Sequence, residues 1–397
     1  MSTAPILRID PAAPRRRPGA KGHTPSLFPV APGDPCRADV QQPSASALAP
    51  NRSTGAPVEP DHEPVPAPPG HAERLVGMAR LAASSPRAQE KRGTEYFLLP
   101  VRSLINHCDS PRVPFEWTVN PYRGCEFGCR YCYARYTHEF LELDGGDFEK
   151  KIYVKKDAAG LFARDLRLKG ITGQHIALGT ATDPYQPAER EFGVTRGILE
   201  QVAARSGLSV SITTKSDQIV RDIDLLQRIA GRSTLSINVS VTTLRARLAR
   251  WLEPRAPRPD LRLAAVRKVR DAGLAVGVFA MPVLPMLTDR EADLDALARA
   301  ARDAGAQWFA GQALFLMPAA QRAYFAFLEE KFPRLLRDYQ RLYARGSYAP
   351  QAYRNAITAR VRRIRQKYGL GSRPYAPGPM AQALCAPAHQ LTMPFVA

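Results

Sequence analysis

The stretch Asn120–Arg135 reads NPYRGCEFGCRYCYAR, and its reading decides the fold. Cys125, Cys129 and Cys132 are spaced C-x3-C-x2-C, with Tyr131 directly before the third. Three thiolates on one short loop can hold three corners of an iron–sulfur cubane and leave the fourth iron without a protein ligand. Gly124 and Gly128 let the backbone wrap closely around such a group. A structural zinc site would need a fourth Cys or His, and His138 is placed to offer one. The spacing to His138 fits no zinc pattern, and the bacterial ferredoxin run with its fourth Cys before Pro is absent.

Outward from the loop, Phe115–Tyr122 reads as a strand leading into the cysteines. Further strands are expected at Gln174–Thr180 (QHIALGT), Leu208–Thr214 (LSVSITT), Thr234–Thr242 (TLSINVSVT), Leu274–Pro282 (LAVGVFAMP) and Ala306–Leu316 (AQWFAGQALFL). They are short, continuous and rich in Val, Ile, Thr and aromatics, as strands buried on both faces of a parallel sheet are. Amphipathic helices alternate with them at Asp157–Lys169, Asp217–Ala230, Arg258–Ala272 and Glu291–Ala304. Ser216 or Asp217 can cap the second, and Gly273 and Gly305 follow the last two where helix ends favour glycine. Strand and helix repeated six times imply an α/β fold, a partial (β/α)6 TIM-like barrel. In such barrels the chemistry sits just after each strand.

An iron lacking a protein ligand can be chelated by the amine and carboxylate of S-adenosyl-L-methionine. The motif, with its aromatic Tyr131, resembles that of the radical S-adenosylmethionine superfamily. GTATDPYQPAE (Gly179–Glu189) and TTKS (Thr213–Ser216) are similar to segments of its spore photoproduct lyase-like branch. The resemblance covers Phe115 to Pro318. It implies a 4Fe–4S cluster on Cys125, Cys129 and Cys132, reductive cleavage of S-adenosyl-L-methionine to a 5′-deoxyadenosyl radical, and hydrogen abstraction from a substrate. It further implies that Tyr131 lies against the adenine and that Thr180, Thr182 and Asp183 grip the methionine amine. Lys215 and Ser216 would meet the carboxylate, and Asn238 and Ser240 the ribose. Asp183 could instead cap the turn at Pro184. The branch uses a cysteine downstream of the cluster to return a hydrogen atom, yet no cysteine stands between Cys132 and Cys385. Tyr185 is a conceivable substitute, or a packing residue in its turn.

The chain carries a net charge of +19. From residue 331 onward, twelve Lys and Arg face the single acid Asp338. Within Ala352–Tyr368, a stripe of Tyr353, Ile357, Val361, Ile364 and Tyr368 would pack on the barrel. It would leave Arg360, Arg362, Arg363, Arg365 and Lys367 as a cationic face. That face either suits phosphates, with DNA or RNA as the partner, or is a plain solvated face that keeps the chain soluble; nucleic acid is the leading substrate, with a modified nucleotide or a protein side chain as rivals. A reducing electron donor of the flavodoxin or ferredoxin kind is implied as well. The competing reading is a non-catalytic iron–sulfur protein that docks on nucleic acid.

Residues 1–92 hold 17 of the 36 prolines and one aromatic, Phe28. Such a segment buries too little to offset its ordering entropy and reads as a disordered tail, apart from a short helix around His71–Ala83. The expected organisation is this tail, a core barrel over 93–330 and a basic helical extension over 331–397. With no apolar span or signal peptide, the cytoplasm is the expected location, where Cys36, Cys108 and Cys385 stay reduced.

Overall fold

In the strand Ser209–Thr214, Val210 and Ile212 face a layer of helices while Ser209, Ser211 and Thr213 face the other way. That alternation recurs across the molecule and sets its architecture. The computed structural model describes residues 75–91, 93–108 and 113–372. Its strands are β1 (Arg87–Lys91), β2 (Thr94–Leu99), β3 (Ile105–His107), β4 (Trp117–Val119), β5 (Tyr122–Arg123), β6 (Lys151–Lys155), β7 (His175–Leu178), β8 (Ser209–Thr214), β9 (Thr234–Ser240), β10 (Val276–Val283) and β11 (Phe309–Ala313).

The main sheet has the order β11-β10-β9-β8-β7-β4-β3. Six of its strands, β4 and β7 to β11, run parallel, and β3 closes the edge antiparallel to β4. The sheet stays open between β11 and β3, as a partial barrel does. Helices Ala158–Leu168, Val194–Ala203, Ile223–Ala230, Pro259–Asp271 and Glu291–Asp303 cover the convex face. Leu161, Phe162, Leu199, Leu226, Val266, Val269 and Leu297 meet Ile176, Ile212, Ile237, Val239 and Val278 there in one core. Gly273 and Gly305 end the last two helices at positive φ, +80° and +86°, a conformation that costs glycine little.

The segment before Tyr96 departs from the sequence reading. The helix Gly77–Ala83 falls within the short helix expected around His71–Ala83, but β1, unexpected, pairs with β2 as a hairpin, so ordered structure is not confined to that helix before residue 92. β1 is almost wholly exposed, and its polar sequence RAQEK owes its order to pairing rather than burial. The hairpin joins β6 and β5 in a four-stranded sheet that carries the cysteine loop. The rest of the tail lies outside the described residues.

No boundary separates residues 331–372 from the barrel. Tyr339 and Tyr343 join the core that contains Cys125, Cys129 and Tyr131. In the helix Gln351–Lys367, Ile357, Val361 and Ile364 join the main core beside β11. No helix among the described residues is long and apolar enough to cross a membrane.

Candidate active site

The cysteine loop follows β4, at the C-terminal end of the parallel sheet. Cys125, Cys129 and Cys132 are free thiols, the first two buried. Gly124 holds φ +85°, and a Cβ there would meet the carbonyl oxygens of Lys151 and Phe148 at 2.8 and 2.9 Å. The Cys125 N–H bonds Phe148 O at 2.9 Å, which pins the start of the loop to the turn just before β6. Glu126 accepts the Ala188 N–H at 2.7 Å and the Tyr96 hydroxyl at 2.9 Å.

This donor set fits an iron–sulfur group. Burial pushes all three thiols up, Cys129 to about 12 despite the Lys215 ammonium nearby. The metal-free site is therefore protonated, and a cationic centre would take the place of those protons. His138 does not join the set. It is fully buried, its Nε2 lies 2.9 Å from Lys151 O, and its ring packs on Phe148 and Tyr153. Among the described residues no three His, Cys, Asp or Glu side chains form a site for a single ion.

Two further loops are sewn to the cysteine loop. Asn120 bonds Thr180 Oγ1 at 3.0 Å and accepts the Ala181 N–H at 2.7 Å. Thr182 donates to Gly124 O at 2.7 Å and accepts from Gln186. Asp183 Oδ1 accepts the Tyr185 N–H at 2.9 Å and the Thr214 hydroxyl at 2.6 Å, and Oδ2 accepts the Lys215 N–H at 2.7 Å. The β7 loop thus bridges the cysteines to the end of β8.

These contacts revise several expected roles. The Thr182 hydroxyl is buried and already engaged, so it ties loops together rather than offering an acceptor to an amine. Asp183 caps the turn at Pro184, and its Oδ2 keeps room for one more hydrogen bond. Ser216 turns its oxygen to the Gln218 N–H as the cap of the helical turn Asp217–Asp222, away from the carboxylate role. Asn238 is spent on its neighbours, accepting from Trp308 Nε1 at 3.0 Å and reaching Ile212 O and Thr213 Oγ1. Ser240 stands on the same face of β9, buried beside Thr242. Tyr185 is fully buried in the main core, the packing residue of its turn, and offers no hydrogen to a substrate there.

Lys215 behaves differently. Its ammonium lies 5.8 Å from the centre of the Tyr131 ring, half-buried between the cysteine loop and β8. It is not a solvent-facing start of a helix. The Tyr131 phenol is bound to Glu253, 3.0 Å from the Thr242 hydroxyl. Glu253 pairs with Arg262 at 2.5 Å, each side chain 1% exposed. The sequence reading missed this pair. Its signal was Arg262 on the inward face of a helix with Ala265, Val266 and Val269, where a cation needs a buried partner.

The sequence profile of the Radical SAM superfamily matches residues 119–298. An uncharacterized protein of Mycobacterium tuberculosis is 35% identical over 316 residues, covering 79% of this chain and 93% of that protein. One from Methanocaldococcus jannaschii is 29% identical over 197 residues, 50% of this chain and 71% of that protein. The chain belongs to the radical S-adenosylmethionine superfamily, enzymes that use S-adenosyl-L-methionine with an iron–sulfur cluster. Within it, the fold is similar to that of spore photoproduct lyase. The structure of that enzyme complexed with dinucleoside spore photoproduct superposes with a TM-score of 0.53 at 17% identity, over 75% of this chain and 87% of that one.

Proposed function

We propose that this chain reductively cleaves S-adenosyl-L-methionine at a 4Fe–4S cluster held by Cys125, Cys129 and Cys132, and that a nucleic acid supplies the hydrogen then abstracted. When bound and reduced, the cluster supplies the electron that breaks the sulfur–C5′ bond, yielding methionine and the 5′-deoxyadenosyl radical. One observation carries the reading: the Lys215 ammonium over the Tyr131 ring, between the cysteines and the β7 loop. The ammonium also faces the Glu253 carboxylate, which Arg262 already pairs, and a methionine carboxylate is a further partner of the right charge for it. Asp183 Oδ2 adds an acceptor for the amine on the same side of the loop.

Support for nucleic acid comes from the aromatic row beside the third cysteine. Tyr133 is 40% exposed, its ring lies 6.2 Å from Phe315, and Phe315 lies 4.5 Å from Tyr348, over which Arg354 sits at 5.2 Å. Aromatic faces interleaved with a guanidinium suit an unstacked base. Anaerobic protein reduced with dithionite should release 5′-deoxyadenosine and methionine. Mass spectrometry of DNA, RNA and protein after turnover should find a cluster-dependent product in a nucleic acid. Loading of iron without cleavage would leave the non-catalytic reading instead.

A further inference from the structure

We propose that Glu253 and Arg262 form a positioning pair which, through the Tyr131 phenol, holds the Cys129–Cys132 turn in one conformation before any metal arrives. The inference rests on the cluster reading above for its purpose, but its geometry belongs to the chain alone.

The segment Leu252–Arg255 lies along the cysteine loop like a strap. The Arg130 N–H bonds Leu252 O at 2.9 Å, and the Arg255 N–H bonds Phe127 O at 3.3 Å. Between these two main-chain ties, Glu253 reaches the loop with its side chain. Its Oε1 accepts both the Tyr131 phenol and the Thr242 hydroxyl, the latter at 2.7 Å. Each hydroxyl has one proton, and the carboxylate oxygen takes both. Oε2 accepts the Arg262 guanidinium at 2.5 Å. The same guanidinium donates to Pro257 O at 2.7 Å and to Ser240 O at 3.1 Å. The network therefore joins the cysteine loop, the end of β9, the strap and the helix Pro259–Asp271.

Stability alone does not account for it. A buried ion pair usually gains little over apolar residues of the same volume. A fully satisfied buried network, in contrast, selects one arrangement and excludes its neighbours. Tyr131 stands between two of the three cysteines, so fixing its phenol fixes the backbone on either side. Burial alone would raise the Glu253 carboxyl, yet the Arg262 guanidinium and the Lys215 ammonium hold it below the ordinary range. The acceptor stays charged beside a turn that must receive a cationic group.

The test separates positioning from simple stabilisation. Tyr131→Phe removes the phenol and keeps the ring. In the iron-free variant, amides of residues 126–132 should exchange about tenfold faster, the factor that one lost hydrogen bond gives, with the rest of the chain unchanged. After iron loading, the electron paramagnetic resonance signal of the reduced protein should broaden, and iron should pass to a chelator about tenfold faster. Glu253→Gln should reproduce both effects. If it fails to fold, the paired substitution of Glu253→Gln with Arg262→Met removes the stranded cation and takes its place. Unchanged exchange in residues 126–132 together with an unchanged resonance signal, even with a lowered melting temperature, would overturn the proposal. Exchange in the iron-free protein decides the matter even if no cluster binds, so failure here and failure of the cluster reading are distinct.

Discussion

Thr182 donates its hydroxyl to the carbonyl of Gly124 across 2.7 Å, which ties the loop after β7 to the residue before the first cysteine. Gln186 donates to the same carbonyl at 3.1 Å and to the Thr182 oxygen at 2.9 Å. One backbone oxygen thus receives two side chains from a loop some sixty residues away. Thr182→Val keeps the shape and removes the hydroxyl. It should cost about 1 kcal/mol, because Gln186 then loses an acceptor in a buried site. Thermal unfolding should show a fall of about 2 °C. Iron content after anaerobic reconstitution should stay near that of the unmodified protein, since all three thiols remain. Loss of the iron would show that this tie shapes the site as well as the fold.

Replacing Cys125, Cys129 and Cys132 together by Ala should abolish iron binding, which for the unmodified protein should reach about four irons per chain. Replacing Cys36, Cys108 and Cys385 together should leave it intact. Iron analysis and the visible absorption of anaerobically purified protein check both variants. Retained iron in the first would reject the ligand assignment.

Lys215→Met should weaken S-adenosyl-L-methionine binding. One charge-assisted contact of about 1.5–3 kcal/mol is removed, roughly ten- to a hundredfold in affinity. Iron content should fall far less than in the cysteine variants, because Lys215 is not a ligand and acts on the Cys129 and Cys132 thiols only through its charge. Calorimetric titration of the iron-loaded, unreduced protein measures the affinity without turnover. Asp183→Ala is a less clean probe than its sequence position suggests. Its carboxylate holds Tyr185, Thr214 and Lys215 in place, so binding and loop order should fall together.

The six parallel strands were legible as short apolar runs, five of them carrying Val, Ile or Thr and β11 (FAGQA) none, and four of the helices on the sheet by their apolar periods, while the helix Val194–Ala203 was missed. The hairpin of β1 and β2 was not, since RAQEK carries no burial signal and pairs by backbone alone. At the site, the three cysteines declare themselves by spacing. The roles of Thr182, Ser216 and Asn238 could not be read that way, because residue type does not reveal which neighbour already claims a hydroxyl or an amide. Glu253 was hidden for the same reason. Its partner Tyr131 is 122 positions away in the chain.

Asp165 offers a pH test of the sheet edge. Its Oδ2 accepts the Leu104 N–H at 2.6 Å, the Ser103 hydroxyl at 2.7 Å and the Ile105 N–H at 3.0 Å. Burial pushes the carboxyl up, but those donors and Lys169 outweigh it and hold it below the ordinary 3.8. A carboxyl lowered by folding stabilises the native state above its unfolded value and loses that contribution as pH falls through its folded value. Asp165→Asn should therefore lower the melting temperature at neutral pH. The gap to the unmodified protein should shrink as pH drops below about 4. A gap that stays constant across that range would deny the carboxylate its role.

The basic helix Gln351–Lys367 gives the last and most revised expectation. Its charges do not form one open cationic face. Lys367 pairs with Asp295 at 2.7 Å, Arg363 with Glu291 at 3.3 Å, and Arg360 donates to Asp289 O and lies 3.8 Å from Glu291. These cations fasten the helix to the start of Glu291–Asp303, and of the five, Arg362 and Arg365 have no such partner among the described residues. Two phosphate contacts would give a slope of log affinity against log salt of about −2 on duplex DNA, far shallower than five free cations would give. The two groups can be separated. Arg362→Gln with Arg365→Gln should flatten the slope towards zero and leave the melting temperature unchanged. Arg360→Gln with Arg363→Gln should leave the slope alone and lower the melting temperature slightly, because exposed pairs contribute about 0–1 kcal/mol each. Fluorescence anisotropy with labelled oligonucleotides across a salt series, run beside thermal unfolding, reads both quantities. If neither DNA nor RNA binds even at low salt, the helix serves only to close the sheet beside β11, and nucleic acid should be abandoned as the substrate.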